Sequence, residues 1–265
     1  MPGDDPGTGS GPNASRRGNR RGLLVFAAAG AAAIAAPRLW SVFAPPPPGT
    51  AIPGLPGFVR LDDSPVSGAA DPFAGLDVPA PDAIAPAPMP EAGPALCAAL
   101  FRDGIAPGTV PMAFFTDINC PFCRAMERWL PDIGGDRASL TWHDLPLLGP
   151  ASRAAARAVA AAHLQGAGNA MRARLHRARL QPTPDYIRSL ADGIGLDADR
   201  LAADMTGAAV TARLAQSLGL FHGFRAAGTP TLVVGGTLAV GQRSEAFVAG
   251  LIDTAAARPD RLPCA

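Results

Sequence analysis

The chain carries no excess of charge. Its 23 basic side chains meet 22 acidic ones over 265 residues, and the formal net charge is +1. A basic face able to follow a phosphate backbone is not expected, so nucleic acid is set aside as a partner. Histidine is scarce: the four present, His143, His163, His176 and His222, share no spacing that would bring two of them to one metal. No serine–histidine–aspartate arrangement and no phosphate-cradling glycine loop stands out. Cysteine is limited to four residues. Two of these, Cys97 and Cys264, lie far apart in sequence, so a zinc site built on Cys120 and Cys123 lacks a ready second pair of ligands. The apolar run Leu23 to Ala36 covers fourteen residues, the length of a signal-peptide core and short of the roughly 20 that span a bilayer.

What the chain has in quantity is glycine and proline, 30 and 29 residues, concentrated before about residue 110. That distribution predicts a flexible leader attached to one compact domain. Met1 to Asn19 is polar and glycine-rich, and is expected to be disordered. Arg16-Arg17 and Arg20-Arg21 precede the apolar run, and Asn19-Arg20-Arg21-Gly22-Leu23-Leu24 resembles a twin-arginine export motif. Ala33-Ile34-Ala35 offers a small-residue cleavage site. Leu39, Trp40, Val42 and Phe43 offer the alternative of an uncleaved anchor. Residues 1–43 are therefore read as an export signal or an N-terminal membrane anchor, which places the rest in the periplasm or otherwise outside the cytoplasm. Residues 44–94 read as a Pro/Ala/Gly-rich linker, partly polyproline II. Two apolar patches, Gly57 to Leu61 and Asp71 to Leu76, interrupt it and could dock on the domain or on a partner.

The chain is organised around Phe114-Phe115-Thr116-Asp117-Ile118-Asn119-Cys120-Pro121-Phe122-Cys123. The apolar run Val110 to Thr116 predicts a strand buried on both faces. Phe122, Met126, Trp129 and Leu130 then recur at helical spacing, with Pro121 at the first helical position and Pro131 as the expected stop. Cys120 thus falls on a helix N-terminus, where unpaired N–H groups and the helix dipole favour a thiolate. Cys123 lies one turn in. The pattern reads as a reactive dithiol in which Cys120 attacks and Cys123 resolves.

This segment is similar to the active-site segment of the thioredoxin-fold Dsb proteins, especially DsbC and DsbG. Gly228-Thr229-Pro230-Thr231 resembles the cis-proline loop of the same superfamily. The resemblance covers roughly Val110 to Ala256. It implies a cis Thr229–Pro230 bond facing the dithiol, with the backbone edge at Thr229 free to pair with an extended substrate. Phe122 stands where DsbA carries a histidine, so the thiolate lacks a side-chain donor there. The leader is too short and too proline-rich for the dimerisation domain of DsbC and DsbG.

The remaining elements fit an α/β, thioredoxin-like fold over residues 95–265. Leu96 to Phe101 forms a helical turn, and Leu140 to Leu145 a second strand. A helical block over about 151–218 resembles the insertion of DsbA-type proteins. It includes helices capped by Thr183 and Asp197 and one carrying Val210, Leu214 and Leu218 that Gly219 ends. Thr231 to Val234 and Thr237 to Val240 make a hairpin around Gly235-Gly236, and Ser244 caps a last helix. Asp117 is expected to cap the active-site turn. Arg172, Arg174, Arg177 and Arg179 read as a wet helix face, with His176 solvated. His222 could approach the cis-proline loop.

The function this predicts is thiol–disulfide oxidoreduction on unfolded or misoxidised exported proteins. No cofactor beyond the Cys120–Cys123 pair is required. The resemblance implies a membrane redox partner, DsbB-like or DsbD-like. A reductase or isomerase of the DsbC/DsbG type, or a metal-binding or redox-gated binding protein without enzymatic activity, are the alternatives. In the fold so implied Cys97 and Cys264 both leave the domain at its surface, and they are expected to form a structural disulfide.

Overall fold

The structure is a computed structural model that describes residues 49–61, 64–67, 82–177 and 182–264. Two short strands come first, β1 (Thr50–Ala51) and β2 (Val59–Arg60). Both belong to the stretch read as linker, and Val110–Thr116, read as the first strand, is the third. The patch Gly57 to Leu61 docks on the domain. Val59 and Leu61 donate their N–H groups to Gly236 and Leu238, while Phe58 and Leu61 are buried. The patch Asp71 to Leu76, the signal or anchor over 1–43, Ala178 and Arg179 lie outside the described residues.

Helix α1 (Pro94–Leu100) leads into β3 (Val110–Thr116), all seven residues of which are buried. Helix α2 (Pro121–Glu127) follows, then α3 (Leu130–Gly134) and β4 (Ala138–Asp144). Pro131 does not stop a helix here. The break falls at Arg128–Trp129, and Pro131 sits in the first turn of α3, where the N–H it lacks would have had no partner. Five helices come next: α4 (Pro150–His163), α5 (Gly168–Arg177), α6 (Pro184–Asp192), α7 (Ala198–Asp204) and α8 (Ala208–Gly223). The hairpin β5 (Thr231–Val234) and β6 (Thr237–Val240) and a last helix, α9 (Glu245–Ala256), complete the fold.

The sheet has the order β1-β2-β6-β5-β3-β4. Strands β3 and β4 run parallel from Val110↔Ala138 to Thr116↔Asp144, as a strand–helix–strand unit requires. The hairpin lies antiparallel to β3 on its other side. Alternation along β3 divides its side chains between the faces. Met112 and Phe114 pack with Met126, Leu130, Leu251 and Ile252, while Ala113 and Phe115 pack with Leu100, Phe221 and Phe224. Each fully buried side chain of this size contributes about 1.5–3 kcal/mol. A third cluster lies within the inserted helices, where the alanines of α4 let Met171, Ile187, Leu190, Leu201 and Leu214 come close.

Helix α8 runs on through Gly219 to Gly223 instead of ending there. The glycine serves packing. A Cβ on Gly219 would stand 2.1 Å from the backbone oxygen of Ala87, and Ala87 donates its N–H to Ala215 O at 2.9 Å. The segment before α1 lies along this helix at a distance only glycine permits.

Candidate active site

Cys120 is the N-cap of α2, extended at φ −75° and ψ 116°, and its Sγ accepts the Cys123 N–H at 3.1 Å. Pro121 then opens the helix with the φ it is built for. The turn before it is fixed by Asp117. Its Oδ1 accepts from Ser152 Oγ (2.6 Å) and the Asn119 N–H (2.9 Å), and its Oδ2 from the N–H groups of Leu147 and Leu148 (2.9 and 3.0 Å). Burial pushes the Asp117 carboxyl up, and these bonds oppose it. With both oxygens used in this way Asp117 caps the turn. From the helix side, Arg124 Nε donates to Ile118 O at 3.0 Å.

The two thiols, both free of disulfide, are made unequal by their surroundings. Cys120 is held down to about 6, first by the hydrogen bond from the Cys123 thiol, which outweighs burial, and then by the hydroxyls of Thr229 and Ser67 and the Cys123 N–H. The neighbouring thiol thus exceeds the helix N-terminus, the cause expected from the sequence. Cys123 is pushed up, by burial first and then by the Cys120 sulfur beside it. An easily ionised attacker and a reluctant resolver are what stepwise disulfide exchange uses.

Opposite the pair stands the loop before β5. The Thr229–Pro230 peptide bond is cis, and Cys120 Sγ lies 3.5 Å from Thr229 O. The Thr229 hydroxyl is buried without a hydrogen-bond partner among the described residues and is among the groups that lower Cys120. Cys120, Cys123, Thr229 and Pro230 therefore meet in one place, with Phe122 half-buried between the cysteines. His222 is exposed on α8, its ring beside Phe221. His143 is buried, its Nε2 2.8 Å from Leu100 O, and burial then the Arg102 charge hold it neutral.

Two expectations about the arginine-rich helix change. Arg172 is buried: its Nε and Nη2 donate to the two oxygens of Asp144 at 3.0 and 2.5 Å, and its guanidinium lies 4.5 Å from the centre of the Trp142 ring. Burial would raise Asp144, but Arg172 outweighs it and holds the carboxyl below its usual value. His176 is half-buried and pairs with Glu127, which also accepts from the Thr116 hydroxyl. A helix read as wet is drawn in because α2 and β4 present acids to it. Arg124, Arg128, Trp142, Arg172 and His176 line a cavity of about 420 Å³ on this side of α2. Among the described residues no group of three or more histidine, cysteine or acidic side chains could hold a metal. No helix among them is long and apolar enough to cross a membrane.

Cys97 and Cys264 are joined to each other, with Cα atoms 5.4 Å apart and a sequence separation of 167. Ser67, which reaches the site from the leader and pairs with Thr229, carries no signal in the sequence.

A dithiol on a helix N-cap, facing a cis-proline loop in a mixed sheet, defines a thioredoxin-type disulfide exchanger. Residues 112–253 match the DSBA-like thioredoxin domain, and the chain belongs to that family of thiol–disulfide oxidoreductases. A thioredoxin-like oxidoreductase from Silicibacter pomeroyi DSS-3 is similar, with 30% identity, TM-score 0.55, and coverage of 60% of this chain and 96% of that one. The thiol-disulfide exchange protein alpha-DsbA2 from Wolbachia pipientis shares the fold, with 21% identity, TM-score 0.55, and coverage of 59% and 90%. So does the catalytic domain of Proteus mirabilis ScsC, with 22% identity, TM-score 0.52, and coverage of 60% and 94%. No curated protein matches the chain.

Proposed function

We propose that the chain is exported and introduces disulfides into other exported proteins through Cys120 and Cys123. In the oxidised enzyme a substrate thiolate attacks the Cys120 sulfur, the Cys120–Cys123 bond breaks, and Cys123 leaves and takes up a proton. A second substrate thiolate then attacks the substrate sulfur of the mixed disulfide and releases Cys120 as a thiolate. Two electrons pass from the substrate to the enzyme, which a membrane partner of the DsbB-like kind resets. The dithiol is the one redox group this needs, and the backbone of Thr229 is where an extended substrate segment pairs.

The observation that carries this direction is the stabilised Cys120 sulfur, with the Cys123 thiol and N–H and the Thr229 hydroxyl arranged to receive its charge. Stabilising the reduced form makes the disulfide the stronger oxidant. The test is the reduction potential against glutathione, together with Cys123→Ser expressed in the exporting cell. A potential near that of the glutathione pool or above it, and mixed disulfides trapped on Cys120, are the expected results. A potential far below the pool, with no trapped species, would reject the oxidising role.

A further inference from the structure

The attacking sulfur is covered. Cys120, Cys123 and Thr229 are each 0% exposed, although exchange requires an incoming sulfur to touch Cys120. Part of the cover is the chain's own leader. The Ser67 N–H donates to Thr229 O at 2.7 Å and the Thr229 N–H donates to Ser67 O at 2.9 Å, an isolated antiparallel bridge on the loop that faces the dithiol. On the near side Ser64 donates to Val240 O at 3.0 Å, and Gln242 donates to Pro65 O at 3.0 Å. Val66 packs against the cluster that holds Phe115, Phe221 and Phe224.

Two glycines clear the path of this segment. A Cβ on Gly228 would stand 2.6 Å from Ser67 O, and one on Gly241 2.2 Å from Ser64 O. Four backbone hydrogen bonds, a seated apolar side chain and two cleared positions make a docked strand, laid as an extended peptide is laid on a sheet edge.

We propose that residues 64–67 are a built-in occupant of the substrate edge, which holds the backbone groups of Thr229 and covers Cys120 until an extended peptide takes its place. This rests on the function proposed above in one respect, that a substrate pairs at Thr229. Occupancy by the leader lowers the apparent affinity for any peptide by the fraction of time the edge is filled. Peptides that offer only weak pairing are therefore refused. The Ser67 hydroxyl, one of the groups that lower Cys120, leaves with the strand, so displacement also withdraws a donor from the sulfur when it must react.

The experiment uses the full chain and two variants outside the dithiol and its loop. Ser67→Pro removes the N–H that Thr229 O accepts, and Val66→Asp removes the apolar anchor. The reduced proteins are alkylated with iodoacetamide, amide exchange is followed at Thr229 with the β3 amides as the control for folding, and the oxidised proteins are mixed with a reduced dithiol peptide. In both variants Cys120 alkylation, Thr229 exchange and peptide oxidation are expected to rise about tenfold, the equivalent of one to two net hydrogen bonds. Equal alkylation and exchange in all three proteins, with β3 protected in each, would overturn the proposal. So would peptide oxidation at one rate in all three, which would leave the proposed function standing. Faster alkylation and exchange with no peptide oxidised by any of them would uphold the cover and reject the function instead.

Discussion

The chain holds two pairs of cysteines whose environments share little. Cys97 and Cys264 come from the two ends of the domain, one on α1 and one beyond α9, and are already joined. Cys120 and Cys123 are three residues apart at a strand-to-helix turn, and both are thiols. At the first pair a bond closes a long loop, and its value lies in the unfolded chain it constrains. At the second the loop is so short that closing it constrains almost nothing. What matters there is how unequally the folded protein treats the two sulfurs. One pair is set by the chain's topology and the other by the electrostatics of a single helix turn.

Three measurements test that contrast. The largest effect belongs to the distant pair. Replacing both Cys97 and Cys264 by alanine is expected to lower stability by up to about 5 kcal/mol, by the chain-entropy estimate for so long a loop, while the variant still exchanges disulfides. Urea unfolding and peptide oxidation read the two halves of the claim. Under graded dithiothreitol the Cys120–Cys123 disulfide should open first. If the two bridges open together, or if exchange is lost with the outer one, the division of labour is wrong.

The next effect is the pH dependence of the reduced protein. The Cys120 thiol is lowered in the fold to about 6 from an ordinary value of 9.0. Its contribution to stability is therefore complete above about 9 and is lost as the pH falls through about 6. Between those values the reduced protein should gain stability over reduced Cys120→Ser, with a slope of at most about 1.4 kcal/mol per pH unit. Unfolding at several pH values checks this, and thiolate absorbance should show a midpoint near 6. A flat difference, or a midpoint near 9, would mean that the two sulfurs are not so unlike.

The smallest effect is at Phe122. Phe122→His adds a donor beside Cys120 and is expected to raise the potential by about 30 mV, a tenfold change in the exchange equilibrium. An unchanged potential against glutathione would show that the Cys123 thiol and N–H already saturate the sulfur.

Much of this was legible in the chain. Val110–Thr116, the Cys120 turn, the caps at Thr183, Asp197 and Ser244 and the Gly235-Gly236 hairpin are short-range patterns, in which the residues that decide a structure are neighbours in sequence. What was not legible depends on contacts across the fold. Gly219 looks like a helix end until Ala87 is placed against it. Arg172 looks solvated until Asp144 and Trp142 meet it, and His176 until Glu127 does. Pro131 stops a helix or starts one according to where the previous helix gives way, which local pattern leaves open. Ser67 belongs to the same class. Nothing in a proline-rich leader marks four residues as part of a site more than fifty positions downstream.

The bond between Cys97 and Cys264 bears on how the protein is made. Cys264 follows every element of the domain, so this bridge cannot close until the whole domain has been synthesised. Until then Cys97 is an unpaired thiol in a molecule that carries its own disulfide-exchange centre. The protein is thus a client of the chemistry it performs. On the function proposed above, a newly made copy takes up one disulfide that stays, between Cys97 and Cys264, and a second, between Cys120 and Cys123, that is handed on.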